Sequence, residues 1–143
     1  MKLCIIIPVF NEEGFIKKSI KSIINQTVRP DRVIYVNDSS TDNTKKLIND
    51  FSSKREECKV ISNEIANYGI ALRNGFKEAK NEMIISFDID YFSEEFLIEA
   101  LSLEEKYSAI TASKRLKNSE DGRKPVRRIA TNLFVLIIRL RKK

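Results

Sequence analysis

The stretch "LCIIIPVFNEE" at residues 3–13 joins a continuous apolar run to a polar turn. Leu3–Val9 lack the alternation of a half-exposed strand, so we expect a strand that is buried on both faces. Glu12–Asn25 follow with isoleucines at helical spacing. The strand ends in "PVFNEE" and not in a glycine-rich turn, which excludes a dinucleotide-dependent oxidoreductase.

Strand-like and helix-like runs alternate along most of the chain. Residues 40–42 offer side-chain oxygens to cap a second helix, and Ser93 offers one to a later helix. A third helix is expected after a turn at residues 67–69 and to reach Lys80. The pattern predicts an α/β fold with three α/β/α layers around a mostly parallel, Rossmann-like sheet. Further strands are predicted at Arg32–Val36, Lys59–Ser62, Met83–Phe87 and Ser108–Ala112.

Composition narrows the chemistry that the chain can carry. The 143 residues are enough for one domain, and they contain no histidine, which excludes histidine triads and histidine zinc sites. If the strand order is 3-2-1-4, another strand separates Cys4 from Cys58, so we expect no disulfide. No signal peptide is expected, and the longest apolar run, Leu133–Ile138, is too short to span a membrane.

Charge is divided unevenly along the chain. Residues 1–113 have a net charge of −3, whereas residues 114–143 carry 11 basic and 2 acidic side chains, a net charge of +9. A basic segment of this kind indicates an anionic partner: nucleic acid, phosphate or a lipid surface. The chain has no aromatic stacking platform or reading helix, so nucleic acid is not the expected partner.

Polar side chains follow most of the predicted strands, at the sheet edge where ligands bind in such folds. Asp88 and Asp90 end the run "IISFDID", and residues two apart in an extended segment face the same side. Two carboxylates presented together suit Mg²⁺ or Mn²⁺. The alternative is a solvated pair of aspartates at a strand end.

Five segments in order resemble the motifs of family-2 glycosyltransferases, which have the GT-A fold. They are "IIIPVFNEE" (5–13), "VNDSSTDNT" (36–44), "NYGIALRNGF" (67–76), "SFDID" (86–90, the DxD motif) and "TASKR" (111–115). A later segment, "RRIATNLF" (127–134), resembles the branch that includes dolichol-phosphate mannose synthase and other polyprenyl-phosphate glycosyltransferases. The resemblance implies an inverting, metal-assisted transfer of a hexose from a nucleoside-diphosphate sugar to a polyprenyl phosphate.

The resemblance also implies roles for individual residues. Asp38 would bind the nucleobase, Asp90 would bind Mg²⁺ or Mn²⁺, and Asp88 would reach the ribose or the metal. The remaining nucleotide-sugar-binding residues would be Pro8, Phe10, Glu12, Asn67, Gly69 and Arg73. The acceptor phosphate would be held by Arg115, Arg127, Arg128 and Thr131. Without the resemblance, the residues around Asp38 are read as a capped turn and the arginines as solvated.

We therefore expect residues 1–116 to form the nucleotide-sugar-binding core and residues 117–143 to form the acceptor side. Val126–Leu140 is a basic amphipathic segment that can lie in a membrane interface or pack on the sheet. The expected location is cytoplasmic, at the membrane face. Two alternatives stay open: a hydroxyl acceptor in polysaccharide or glycoprotein synthesis, and a non-catalytic domain truncated at its C-terminus that binds nucleotide sugar.

Overall fold

A computed structural model describes residues 2–24, 27–79, 83–89 and 93–110. All of its helices and strands lie within a compact unit formed by residues 1–106; a second unit, residues 107–143, is described only at residues 107–110. The elements in chain order are β1 (Leu3–Val9), α1 (Glu13–Ile24), β2 (Arg32–Asp38), α2 (Thr44–Ser52), β3 (Cys58–Asn63), α3 (Tyr68–Glu78), β4 (Met83–Ser86) and α4 (Glu94–Ser102).

The four strands form a parallel sheet in the order β3-β2-β1-β4. In its register, Ile5 of β1 pairs with Val33 of β2 on one side and with Ile85 of β4 on the other. The α/β fold class predicted from the sequence is confirmed, and the strand order is the one supposed above for the two cysteines. The predicted strand at residues 108–112 is wrong where it can be checked, because residues 108–110 contain no strand; residues 111 and 112 lie outside the described part.

The central strands β1 and β2 are covered on both faces, which explains their uninterrupted apolar runs. On one face, Ile6 and Val36 pack with Ala71 of α3 in the main apolar cluster. On the other face, the ring of Tyr35 meets the ring of Phe51 from α2 edge to face, with their centroids 6.3 Å apart. The sheet is thus the middle layer of three.

Local hydrogen bonds set the helix starts, with two differences from the sequence prediction. The Ser93 hydroxyl accepts from the Phe96 N–H and caps α4 as predicted. Residues 40 and 41 do not cap α2, because the hydroxyls of Ser40 and Thr41 bond to Asn11 instead. The predicted turn at residues 67–69 is wrong at Gly69, since α3 already begins at Tyr68.

Both cysteines are free, as expected from a strand order that places β2 between them. Burial raises the pKa of the Cys58 thiol to about 11, so this thiol is neutral at physiological pH. Within the part of the chain that the structure describes, none of the helices has the length and apolar character needed to cross a bilayer.

Candidate functional site

A cleft of about 260 Å³ opens at the carboxyl ends of the strands. It lies where β2 and β4 flank β1, the point at which the strand order reverses and parallel sheets most often bind ligands. Five of its lining residues were predicted from sequence as site residues: Pro8, Phe10, Glu12, Asp38 and Asp88. The others are Val9, Tyr68 and Ile89. Four motifs that are distant in sequence therefore meet in one cleft.

Asp38, the last residue of β2, is buried at the cleft wall with 6% of its surface exposed. Its Oδ1 accepts two hydrogen bonds, from Asn63 Nδ2 at 2.8 Å and from the Asn67 N–H at 2.9 Å. Among the residues that the structure describes, none donates a hydrogen bond to Oδ2. One carboxylate oxygen is therefore held by the protein, and the other can accept a hydrogen bond from a ligand.

Asp88 follows β4 on the other side of the cleft. Its Oδ1 accepts a hydrogen bond of 3.0 Å from the hydroxyl of Tyr68, the first residue of α3. Burial raises the pKa of Tyr68, and the neighbouring Asp88 carboxylate raises it further. Tyr68 thus remains a hydrogen-bond donor at neutral pH, and it orients a carboxylate that faces the cleft.

Two loops that border the cleft are tied to each other by hydrogen bonds. The Asn11 N–H donates to Ser40 Oγ at 3.1 Å, and Asn11 Oδ1 accepts from the Thr41 N–H at 2.8 Å. The Glu12 N–H donates to the fully buried hydroxyl of Thr44 at 2.7 Å. Asn11 and Ser39 both have positive φ, at 54° and 60°. Such backbone is uncommon outside glycine, and here the cross-links hold it in place.

The remaining predicted site residues have different surroundings. Asn67 is the N-cap of α3, and its side chain accepts from the Ile70 N–H, while Gly69 is helical and Arg73 is exposed on α3. None of these three lines the cleft, so their predicted contacts with a nucleotide stay predictions. Further predicted residues lie outside the described residues, together with the whole segment 117–143: Asp90, Arg115, Arg127, Arg128 and Thr131.

The cleft residues fit a divalent cation in the type of donor that they offer. Asp88 is a hard oxygen ligand at the cleft, and the Tyr68 hydroxyl engages only one of its two oxygens. Residues 2–24, 27–79, 83–89 and 93–110 contain no group of three acidic, histidine or cysteine side chains that could hold a metal ion by themselves. A cation at Asp88 would therefore need other ligands as well, such as phosphate oxygens or water.

Three residues near the cleft were missed by sequence reasoning. Tyr68 stood inside the quoted motif "NYGIALRNGF" but was not assigned a role, although it lines the cleft. Asn63 and Asn74 bond to each other beside Asp38. The position of Asn63 directly after the predicted third strand was the available signal, whereas nothing in the sequence distinguished Asn74 from an exposed helical residue.

Comparison with known proteins agrees with this geometry. The family model described as glycosyl transferase family 2 matches residues 4–142. The chain belongs to glycosyl transferase family 2. This family-2 domain is 36% identical over 120 residues to the poly(ribitol-phosphate) beta-glucosyltransferase of Bacillus spizizenii, covering 80% of this chain and 19% of that protein. It is 32% identical over 103 residues to the GalNAc(5)-diNAcBac-PP-undecaprenol beta-1,3-glucosyltransferase of Campylobacter jejuni, covering 71% of this chain and 32% of that protein.

Solved structures show the same GT-A fold. S. aureus TarS 1-349 in complex with UDP-GlcNAc is 28% identical, with a TM-score of 0.61 over 73% of this chain and 32% of that one. A Pyrobaculum calidifontis mannosyltransferase in complex with GDP-Man and Mn²⁺ has a TM-score of 0.61 at 20% identity. The match covers 70% of this chain and 31% of that one. The family-2 domain thus spans about a third or less of the length of these proteins. The narrower likeness to the dolichol-phosphate mannose synthase branch stays a prediction.

Proposed function

We propose that this family-2 domain binds a nucleoside-diphosphate sugar in the cleft and transfers its hexose to an acceptor. One observation carries the proposal: the cleft has a buried carboxylate with one available oxygen, Asp38, on one side and a second carboxylate, Asp88, on the other. The TarS complex with UDP-GlcNAc and the mannosyltransferase complex with GDP-Man and Mn²⁺ support a donor of this class.

Each end of the donor meets a suited part of the cleft. Asp38 Oδ2 accepts an N–H from the nucleobase, and the half-exposed ring of Phe10 offers an apolar face beside it. Asp88, together with Asp90 from the DxD motif, would hold Mg²⁺ or Mn²⁺. The cation would neutralise the charge that develops on the departing diphosphate. Tyr68 keeps the Asp88 carboxylate turned toward the cleft.

For the acceptor, the sequence motifs support a polyprenyl phosphate. Arg115, Arg127 and Arg128 offer planar donor pairs that suit phosphate oxygens. A phosphate monoester has its second pKa near ~6, so it is nucleophilic at pH 7 without a general base. This acceptor would also place the enzyme at the cytoplasmic membrane face, which the basic amphipathic segment of residues 126–140 suits.

A second candidate is a hydroxyl acceptor in polysaccharide or glycoprotein synthesis. It is favoured by the names of the relatives, which act on poly(ribitol phosphate) and on a saccharide linked to undecaprenyl diphosphate. A hydroxyl acceptor requires a general base, which a phosphate acceptor does not. The two candidates are separated by offering a labelled donor together with either polyprenyl phosphate in vesicles or a ribitol-phosphate polymer. Transfer to the lipid that is lost in Arg127→Ala supports the first, and transfer to the polymer supports the second.

Donor binding is tested by thermal unfolding with UDP-, GDP- and dTDP-sugars, each with Mn²⁺ and with EDTA. A ligand present at about 100 times its Kd stabilises a protein by about 2.7 kcal/mol, which corresponds to roughly 5–10 °C in Tm for a domain of this size. We expect one donor class to give such a shift and EDTA to reduce it. Asp88→Asn should remove the part that depends on Mn²⁺, whereas Asp50→Asn on the exposed side of α2 should retain it. Absence of a shift with every donor would contradict the proposal.

A further inference from the structure

We propose that Asn63 and Asn74 are positioning residues, which together hold the Asp38 carboxylate so that its Oδ2 accepts a hydrogen bond from the ligand. This inference rests on the proposed nucleotide-sugar site and extends it to two residues that do not line the cleft. It concerns how the site selects the nucleobase. We call the three side chains, Asn74, Asn63 and Asp38, the amide relay.

The amide relay is a chain of two short hydrogen bonds. Asn74 Nδ2 donates to Asn63 Oδ1 at 2.8 Å, and Asn63 Nδ2 donates to Asp38 Oδ1 at 2.8 Å. Its members come from α3, from the end of β3 and from the end of β2. All three side chains are buried or half-buried, which limits competition from water.

The direction of donation in the relay follows from the chemistry of the amide group. A side-chain amide has one accepting end and one donating end. Because Asn74 occupies the accepting end of Asn63, Asn63 must present its donating end to Asp38. Asp38 Oδ1 must then accept, and the Asn67 N–H donates to the same oxygen at 2.9 Å. The two donors therefore hold Oδ1, and they leave Oδ2 as the acceptor for a ligand.

The position of the carboxylate follows from how the relay is anchored. Asn63 pairs with Asp38 across the β2–β3 ladder, so its backbone is fixed by the sheet. Asn67 is bound at the start of α3 as its N-cap, and Asn74 lies two turns further along the same helix. The Asp38 side chain is therefore held by the sheet on one side and by α3 on the other. Holding the acceptor in place before binding reduces the entropy lost when the ligand binds.

The relay predicts which class of nucleobase the cleft accepts. An acceptor at Oδ2 pairs with a base that carries a ring N–H, as uracil and guanine do. Cytosine presents a lone pair at the corresponding ring nitrogen, and two acceptors facing each other leave both unpaired. A site with buried polar groups discriminates strongly against a ligand that leaves them unpaired. The relay should therefore keep affinity for UDP or GDP well above affinity for CDP.

The test uses paired substitutions in two helices. Asn74→Asp is isosteric but can only accept, so Asn63 turns its amide over and presents an oxygen to Asp38. Asn74→Ala removes the donor without adding charge. Asn49→Asp and Asn49→Ala are the matched controls, because Asn49 is an exposed residue inside α2. Calorimetric titration measures Kd for CDP and for UDP or GDP, whichever the wild-type protein binds.

We expect Asn74→Ala to weaken binding of the preferred nucleotide about 3- to 10-fold, the value of one hydrogen bond. Asn74→Asp should weaken it about tenfold or more and should lower its preference over CDP, because the Asn63 oxygen then faces Asp38 Oδ1 without a hydrogen between them, and the carboxylate turns out of its position at the cleft. Both Asn49 variants should stay within about twofold of wild type, since surface substitutions have small effects. The ratio of the two affinities stays informative in a destabilised variant, because both nucleotides bind the same folded molecules.

The outcomes separate this inference from the proposed function. If the Asn74 variants bind the nucleotides with the same affinities as the Asn49 variants and the wild-type protein, the relay is overturned and the proposed function stays intact. A loss of affinity with an unchanged preference over CDP would also overturn it, since that indicates a structural role alone. If the wild-type protein binds none of the nucleotides, the proposed function fails, and the relay fails with it.

Discussion

Asp38→Asn is expected to weaken binding of the preferred nucleoside diphosphate about 10- to 100-fold, which corresponds to the loss of one hydrogen bond to a charged group. The substitution changes one atom of the side chain, and that atom is the acceptor available at the cleft. The amide of the variant must keep its oxygen toward Asn63 Nδ2 and the Asn67 N–H, because both of these donate. Its NH₂ group then takes the place of Oδ2.

The variant should therefore present a donor where the wild-type protein presents an acceptor. A base with a ring N–H would meet another donor, whereas the ring nitrogen of cytosine would find a partner. We expect the preference of the site to shift from UDP or GDP toward CDP. A general loss of affinity for all three nucleotides would not fit this account.

The measurement is calorimetric titration of wild type and variant with UDP, GDP and CDP. Asp50→Asn is the matched control, because it makes the same change of charge at an exposed position of α2. Affinity of Asp38→Asn within threefold of wild type for the preferred nucleotide would show that Asp38 does not contact the base. In that case both the site assignment and the amide relay would be wrong.

The sheet was predictable from the sequence because its central strands are buried on both faces. Leu3–Val9 is apolar throughout, and so is most of Arg32–Asp38. This pattern is typical of parallel strands that helices cover on both faces. The parallel order brings the strand ends together at the ligand-binding edge of the sheet, where Pro8, Asp38 and Asp88 line one cleft. A period and a topology rule predicted the sheet and this edge, whereas the resemblance to family-2 glycosyltransferases supplied the site roles of Pro8 and Asp38.

The hydrogen-bond partners within the site could not be predicted in this way. Ser40 and Thr41 are typical helix-capping residues, and the local pattern cannot indicate that they bond instead to Asn11, about 30 residues earlier. Likewise, the partner of Asn74 is Asn63, which lies on another element. Such contacts depend on the distance between α3 and the sheet. Tertiary packing sets that distance, and no motif encodes it.

Gly75 allows this close approach of α3 to the sheet. A Cβ atom at this position would lie 2.6 Å from Ile6 Cγ2 and 3.3 Å from Val36 Cγ2. Both neighbours are fully buried in β1 and β2, and both carry stiff, β-branched side chains that cannot move aside. An added methyl group would therefore push α3 away from the sheet.

Gly75→Ala is expected to destabilise the domain by up to about 2 kcal/mol, because overpacking costs about 1–3 kcal/mol and the preference of a helix for alanine over glycine offsets only ~1 kcal/mol of it. Gly14→Ala in α1 is the matched control, because a Cβ there meets nothing within 4 Å and the helix preference of alanine acts alone. In urea unfolding, the free energy of unfolding should thus fall in Gly75→Ala and rise in Gly14→Ala. Equal shifts would contradict the close contact between α3 and β1.

Gly75→Ala should also weaken nucleotide binding, and this effect links the packing of α3 to the site. Asn74 precedes Gly75, and its hydrogen bond to Asn63 is 2.8 Å long, so moving the helix outward by a fraction of an ångström stretches the amide relay. Binding should be measured at a temperature where both variants are fully folded, which separates affinity from stability. If Gly75→Ala lowers stability but leaves Kd and the preference over CDP unchanged, then Asp38 is positioned by β2 and β3 alone. The contribution of α3 to base selection would then be refuted.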